Sequence, residues 1–117
     1  MTTGTDYKTA AVQLLQQAHA ELDQGDTRQA SEKGWGAAAQ AVKAVAQGRG
    51  WEHNTHGDLF RIVRLLAAEP DKAGITRLFG RASTLHVNFY ENWLTSTDVK
   101  EELVDVARFV ALMAETY

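Results

Sequence analysis

Apolar residues in this chain recur at three- and four-residue spacing, and no β-branched run alternates with polar positions, so the sequence reads as helices throughout. Ala11, Leu14, Leu15, Ala18 and Leu22 form one stripe on a first helix from about Asp6 to Asp23. Gln24-Gly25-Asp26 ends it, because Gly25 suits a left-handed cap and Asp26 or Thr27 can cap the next helix. The second helix spans about Thr27 to Gln47, with Ala30, Gly34, Ala37, Ala38, Ala41, Val42 and Val45 inward. That face is built of small residues, so a neighbouring helix can approach closely, and Trp35 is its one large anchor. Gly34 and Gly36 inside a helix each cost roughly 1 kcal/mol against alanine. Close helix contact, across a dimer for instance, would account for them. After Gly48-Arg49-Gly50 and a polar loop from Trp51 to Thr55, Asn54 or Thr55 can cap a third helix over about His56 to Glu69. Leu59, Phe60, Val63, Leu66 and Ala67 point inward there. Pro70-Asp71 breaks the pattern. A fourth helix follows over about Lys72 to Leu94, then a Thr95-Ser96-Thr97 turn. A last helix, capped by Thr97 or Asp98, carries Val99, Leu103, Val106, Phe109, Val110 and Met113. Short turns between long helices make antiparallel neighbours, so the expected fold is all-α, an antiparallel bundle of about five helices.

The 117 residues suit one domain over the whole chain, with no repeat or linker. There is no cysteine, which removes disulfides and thiolate metal sites and fits a reducing compartment. A formal net charge of −3, from 12 basic and 15 acidic residues, argues against general DNA binding. No apolar run approaches the roughly 20 residues of a membrane span. Met1 to Lys8 is polar and lacks a leader core, so a cytoplasmic protein is expected. No Gly-rich phosphate loop and no serine or cysteine nucleophile motif is present, and no cofactor is expected.

Candidate chemistry concentrates on the fourth helix, in Arg81-Ala82-Ser83-Thr84-Leu85-His86-Val87-Asn88-Phe89-Tyr90-Glu91. At roughly 100° per residue, Ile75, Phe79, Ala82, His86, Phe89 and Trp93 share a face, and Arg81 stands near its edge. His86 therefore points into the bundle or into a subunit interface, with Tyr90 one turn away. It reads either as a core histidine bonded to a helix carbonyl or to Tyr90, or as an acid/base group that moves a proton near neutrality. In the second reading the planar fork of Arg81 holds a phosphate, and the two make a minimal kit for metal-free RNA cleavage.

An Arg-x-x-x-x-His signature late in a small helical bundle resembles the HEPN superfamily, and His56-Gly57-Asp58-Leu59 is similar to its His-x-x-Leu element. Two blocks, Gln29-Ala30-Ser31-Glu32-Lys33-Gly34-Trp35-Gly36-Ala37-Ala38 and Leu85-His86-Val87-Asn88-Phe89-Tyr90-Glu91, resemble the PaREP family, whose members adopt HEPN-like bundles. The resemblance implies a homodimer with its Arg/His pairs at a shared cleft. It also implies binding of RNA or nucleotide, and endoribonuclease toxins or defence effectors are among the relatives. Arg81 and His86 match the signature as catalytic residues, with Asn88, Tyr90, Arg77 and His56 as substrate-binding neighbours. Two positions depart from the active pattern. The residue after the arginine is often polar and here is Ala82, and the tyrosine two residues after the histidine is replaced by Asn88. The competing expectation is a non-catalytic interaction module, an antitoxin or adaptor with a protein partner encoded nearby. The hairpin from Leu22 to Ala41 also resembles peptide-binding tetratricopeptide hairpins, although one hairpin makes no array.

Three other groups carry weaker signals. His53 and His56 with Glu52 and Asp58 could ligate zinc or nickel, against the plainer reading of a solvated loop, and no metal is expected. Arg61, Arg64, Arg77 and Arg81 with Lys72 form either a basic region for phosphates or an ordinary ion-paired surface. Trp35 and Trp93 read as packing anchors, and Trp51 as the better candidate for an exposed ring.

Overall fold

The computed structural model describes residues 4–117, with side chains from residue 6 onward; Met1 to Thr3, part of the polar start noted above, lie outside the described residues. Those residues form five helices, α1 (Gly4–Asp23), α2 (Thr27–Arg49), α3 (His56–Ala67), α4 (Ile75–Glu91) and α5 (Ser96–Ala114), joined by short turns. No helix among them is long and apolar enough to cross a membrane. The expected all-α bundle is the observed one.

The chain breaks where local chemistry stops a helix. Gly50 closes α2 at φ 73°, donating its N–H to Ala46 and Gln47 carbonyls, a conformation that would strain a residue with a Cβ. Asp26 opens α2 by accepting from the Gln29 N–H. Thr55 and Thr95 each open a helix with a reciprocal capping box, to Asp58 and Asp98 respectively. Thr95 thus caps α5, rather than Thr97 or Asp98. α3 stops at Ala67 and α4 stops at Glu91, both short of the expected ends. In α4 the cause is Asn92, left-handed at φ 52°, whose N–H returns to the Asn88 carbonyl. The chain then leaves the helix before Trp93, which stays 50% exposed and is no packing anchor. Trp51 is only half-buried, with the Arg49 guanidinium 5.2 Å from its ring centroid.

α2 is the centre of the bundle and touches all four other helices. A helix enclosed on so many sides needs narrow side chains all round. Ala30, Ala37, Ala38, Ala41 and Ala46 are fully buried there. A Cβ on Gly34 would lie 2.7 Å from Leu103 Cδ2 and 3.0 Å from Leu85 Cδ1. One on Gly36 would lie 3.3 Å from Leu14 Cδ1. The two glycines therefore admit α1, α4 and α5 of the same chain, so a dimer is not needed to account for them. The α5 stripe is buried as expected. In α4 the buried stripe runs through Ile75, Phe79, Ala82, Leu85 and Asn88. Its axis is therefore displaced from the expected face, leaving His86 and Phe89 half-buried at the margin. Ile62, a fully buried α3 residue, also joins the core.

Candidate functional site

Glu32 and Trp35 stand three residues apart on α2, hence on one face of that helix. Opposite them α4 presents Phe79, His86 and Tyr90. Between the two helices the first residue of α3, His56, is set in place by the Thr55–Asp58 capping box. Trp35, 5% exposed, is the shared wall of the resulting cluster. Its ring centroid lies 5.3 Å from each of His56, Phe79 and His86. His56 and His86 meet edge to face at 5.0 Å and 84°. Tyr90 closes the outer side of His86 at 5.6 Å and 88°, with 67% of its own surface exposed.

His86 is oriented by a carboxylate. Its Nδ1 lies 3.2 Å from Glu32 Oε1. An ionised carboxylate only accepts, so Nδ1 carries the proton of this bond and the neutral ring keeps its lone pair on Nε2. The other Glu32 oxygen, Oε2, is shielded from solvent and has no hydrogen-bond partner. Glu32, Trp35 and His56, all in contact with His86, also line a cleft of about 280 Å³ completed by Gln40, Lys43, His53, Asn54 and Thr55 among others.

The loop that carries the cleft's rim is tied down at several points. His53 Nδ1 lies 2.8 Å from the Trp51 carbonyl, so that nitrogen donates, and Nε2 lies 3.4 Å from the Tyr7 hydroxyl, from which it accepts. Asp58 accepts from the backbone N–H groups of Asn54 and Thr55 at 3.0 and 3.2 Å. These bonds, the Asn54 one foremost, hold the Asp58 carboxyl below the usual carboxylate range, with the Thr55 hydroxyl bond and nearby Arg61 adding to them against partial desolvation. Arg61 also reaches the Glu52 carbonyl at 3.3 Å. His53 and His56 share the cleft wall, but no group of three or more His, Asp or Glu side chains among the described residues is arranged to hold a metal ion.

The structure separates the other sequence-derived candidates. Arg81 turns to α5, where Nη1 meets Glu102 at 3.0 Å and Nε meets Asp105 at 3.8 Å. His86 turns to α2, so within one chain Arg81 and His86 serve opposite sides of α4. Arg77 lies on the Arg81 side, along a separate cleft beside α5. Asn88 is fully buried and acts within the fold: Nδ2 donates to Ser31 Oγ at 2.9 Å, and Oδ1 accepts from the Trp93 and Leu94 N–H groups at 2.8 Å each. The basic region of α3 and α4 is largely ion-paired, Arg61 with Asp58, Lys72 with Glu115 and Arg81 as above. Sequence reasoning missed Glu32, Lys43 and Asn54 as site residues. The legible signal was Glu32, an acid one turn before the only large anchor on an alanine face.

Comparison with known proteins places this geometry in context. A solved structure from Sulfolobus solfataricus superposes with a TM-score of 0.80 at 26% identity, over 92% of this chain and 95% of that one. The TT1696 protein of Thermus thermophilus superposes with a TM-score of 0.79 at 21% identity, over the full length of both, which shows a shared fold. No curated protein matches the sequence. The family model of the archaeal PaREP1/PaREP8 family matches residues 6–110, nearly the whole chain, and this protein belongs to that family.

Proposed function

We propose that this protein is a HEPN-like homodimer that binds RNA or nucleotide, and that its two-histidine centre cleaves RNA without a metal. The observation that carries the reading is the His86–Glu32 pair with His56 against it, at the edge of an open cleft. Glu32 fixes the His86 tautomer, as the carboxylate does in a catalytic triad, and leaves Nε2 to take a proton. In the reaction, Nε2 of His86 accepts the proton of a ribose 2′-hydroxyl, whose oxygen attacks the adjacent phosphorus. The bond from phosphorus to the 5′ oxygen breaks, and protonated His56 delivers its proton to that oxygen. The products are a 2′,3′-cyclic phosphate and a 5′-hydroxyl end. Lys43 on the cleft wall supplies positive charge for the phosphate. The five-helix bundle and the Arg81/His86 spacing support the HEPN assignment. The half-exposed Trp93 and the exposed Tyr90 and Val87 at one end of α4 offer an apolar surface for the second copy.

A second reading, a non-catalytic interaction module of antitoxin or adaptor type, draws support from one observation. Arg81 is engaged by Glu102 and Asp105 and stands apart from His86. Cleavage of a labelled RNA pool in the presence of a metal chelator, by wild type and by His86→Ala and His56→Ala, decides between them. Cleavage that both substitutions abolish establishes the ribonuclease. Equal activity in all three, or none in the wild type, leaves the interaction module. Light scattering of the purified chain tests the dimer.

A further inference from the structure

A second concavity lies away from the histidines. It is a cleft of about 420 Å³ between the start of α4 and α5, walled by Gly74, Arg77, Leu78, Arg81, Asp105 and Arg108 among others. Three arginines on one concave surface run against the character of a chain whose formal net charge is −3. The carboxylates there do not use up the arginines' hydrogen-bonding capacity. Glu102 takes one edge of Arg81 at 3.0 Å. Asp105 is shared by two guanidinium groups, Arg81 at 3.8 Å and Arg108 at 3.9 Å, both at the long limit of an ion pair. Arg77 makes no ion pair among the described residues. Three guanidinium groups against two carboxylates leave a surplus of one positive charge. The cleft's other end is the start of α4, where Gly74 provides no side-chain cap.

We propose that this cleft binds a phosphate group, with Arg77 and Arg108 as its principal ligands and Arg81, clamped by Glu102 and Asp105, as the fixed charge between them. Planar guanidinium forks match the oxygens of a phosphate better than an ammonium would, and the loose Asp105 contacts leave N–H donors on Arg81 and Arg108 for it. The volume exceeds what one phosphate needs, so a diphosphate or two successive phosphates of a strand fit. The inference deepens the RNA or nucleotide reading above, because it gives the bound molecule a phosphate subsite on the face of α4 opposite the proposed cleavage centre.

The test uses the full chain and two probes, pyrophosphate by calorimetry and a 5′-phosphorylated oligoribonucleotide by fluorescence anisotropy. Four proteins are compared: wild type, Arg77→Ala/Arg108→Ala, the charge reversal Arg77→Glu, and Lys100→Ala, which removes an exposed cation outside the cleft. Arg77 and Arg108 are exposed, so circular dichroism is expected to report an unchanged fold. The expected result is wild-type binding that weakens with salt, at least a tenfold loss in the double variant and in Arg77→Glu, and no loss in Lys100→Ala. Tight pyrophosphate with weak RNA identifies a free nucleotide as the source of the phosphate, and the reverse identifies a strand. Absence of binding to both probes, or equal binding by the double variant, overturns the proposal. Arginine-dependent binding without RNA cleavage keeps the cleft and discards the ribonuclease.

Discussion

Substituting Asn88 with alanine tests the claim that this residue, which the sequence offers as a substrate contact, holds the bundle together. The side chain is fully buried and makes three hydrogen bonds, one to Ser31 on α2 and two to the backbone N–H groups of Trp93 and Leu94. Alanine removes all three. Ser31 keeps its own donor bond to the Thr27 carbonyl at 2.7 Å, so the loss there is a single bond of about 1 kcal/mol. The Trp93 and Leu94 N–H groups lie in a part-buried turn that water reaches partially, so each costs about 1 kcal/mol rather than the ~3 kcal/mol of a sealed donor. The sum, about 3 kcal/mol, is a large share of the ~5–15 kcal/mol of a typical domain. It corresponds to a fall in Tm of roughly 10–15 °C for a chain of this size. Urea titration and thermal melting followed by far-ultraviolet circular dichroism measure it, with the urea slope unchanged. Ser31→Ala combined with Asn88→Ala closes a double-mutant cycle, with a coupling of about 1 kcal/mol expected. A loss below about 1 kcal/mol, or RNA binding abolished with full stability retained, would refute the structural role.

Four further outcomes follow from the packing and the electrostatics. Gly34→Ala is expected to destabilise by up to about 2 kcal/mol, because an overpacking cost of about 1–3 kcal/mol against buried Leu103 and Leu85 exceeds the ~1 kcal/mol propensity gain. Gly80→Ala, with open space at its Cβ, is expected to stabilise by about 0.5–1 kcal/mol. Equal effects in the same urea experiment would contradict the described interhelical approach. The Asp58 carboxyl is held below its unfolded value, so its stabilisation of the α3 start is complete above the ordinary carboxylate range and is lost as pH falls through the folded value. Asp58→Ala should therefore lower Tm at pH 7, with a difference that shrinks on acidification; a constant difference would dismiss the box as a source of acid sensitivity. The Arg49–Glu69 pair, in which the arginine's hydrogen bond pulls the Glu69 carboxyl down, is surface-lying, so the penalty of Arg49→Ala should diminish at about 1 M salt.

The helices were legible because their signals are local. Three-and-four spacing placed the α2 and α5 stripes, and the cap candidates Asn54 and Thr55 announced the start of α3, although only the structure chose Thr55 and paired it with Asp58. The Gly34-Trp35-Gly36 interruption announced a close approach but not whose. Leu103 and Leu85 come to Gly34 from far along the chain, and only the assembled bundle could name them. The end of α4 escaped for a related reason. Asn88 leaves its helix face to bind Trp93 and Leu94, a tertiary role that spacing alone assigns to a ligand.

The sequence by itself determined the helical fold and marked His86 and His56 as unusual. Family resemblance, a property of the whole chain, was readable in its two longest motifs. Tertiary structure decided the partners. It gave His86 to Glu32 and Arg81 to Glu102 and Asp105, since two residues five apart stand roughly 140° apart around a helix. Neighbours in a motif thus face different helices, because helical periodicity fixes the angle between them and packing decides which helix each one meets.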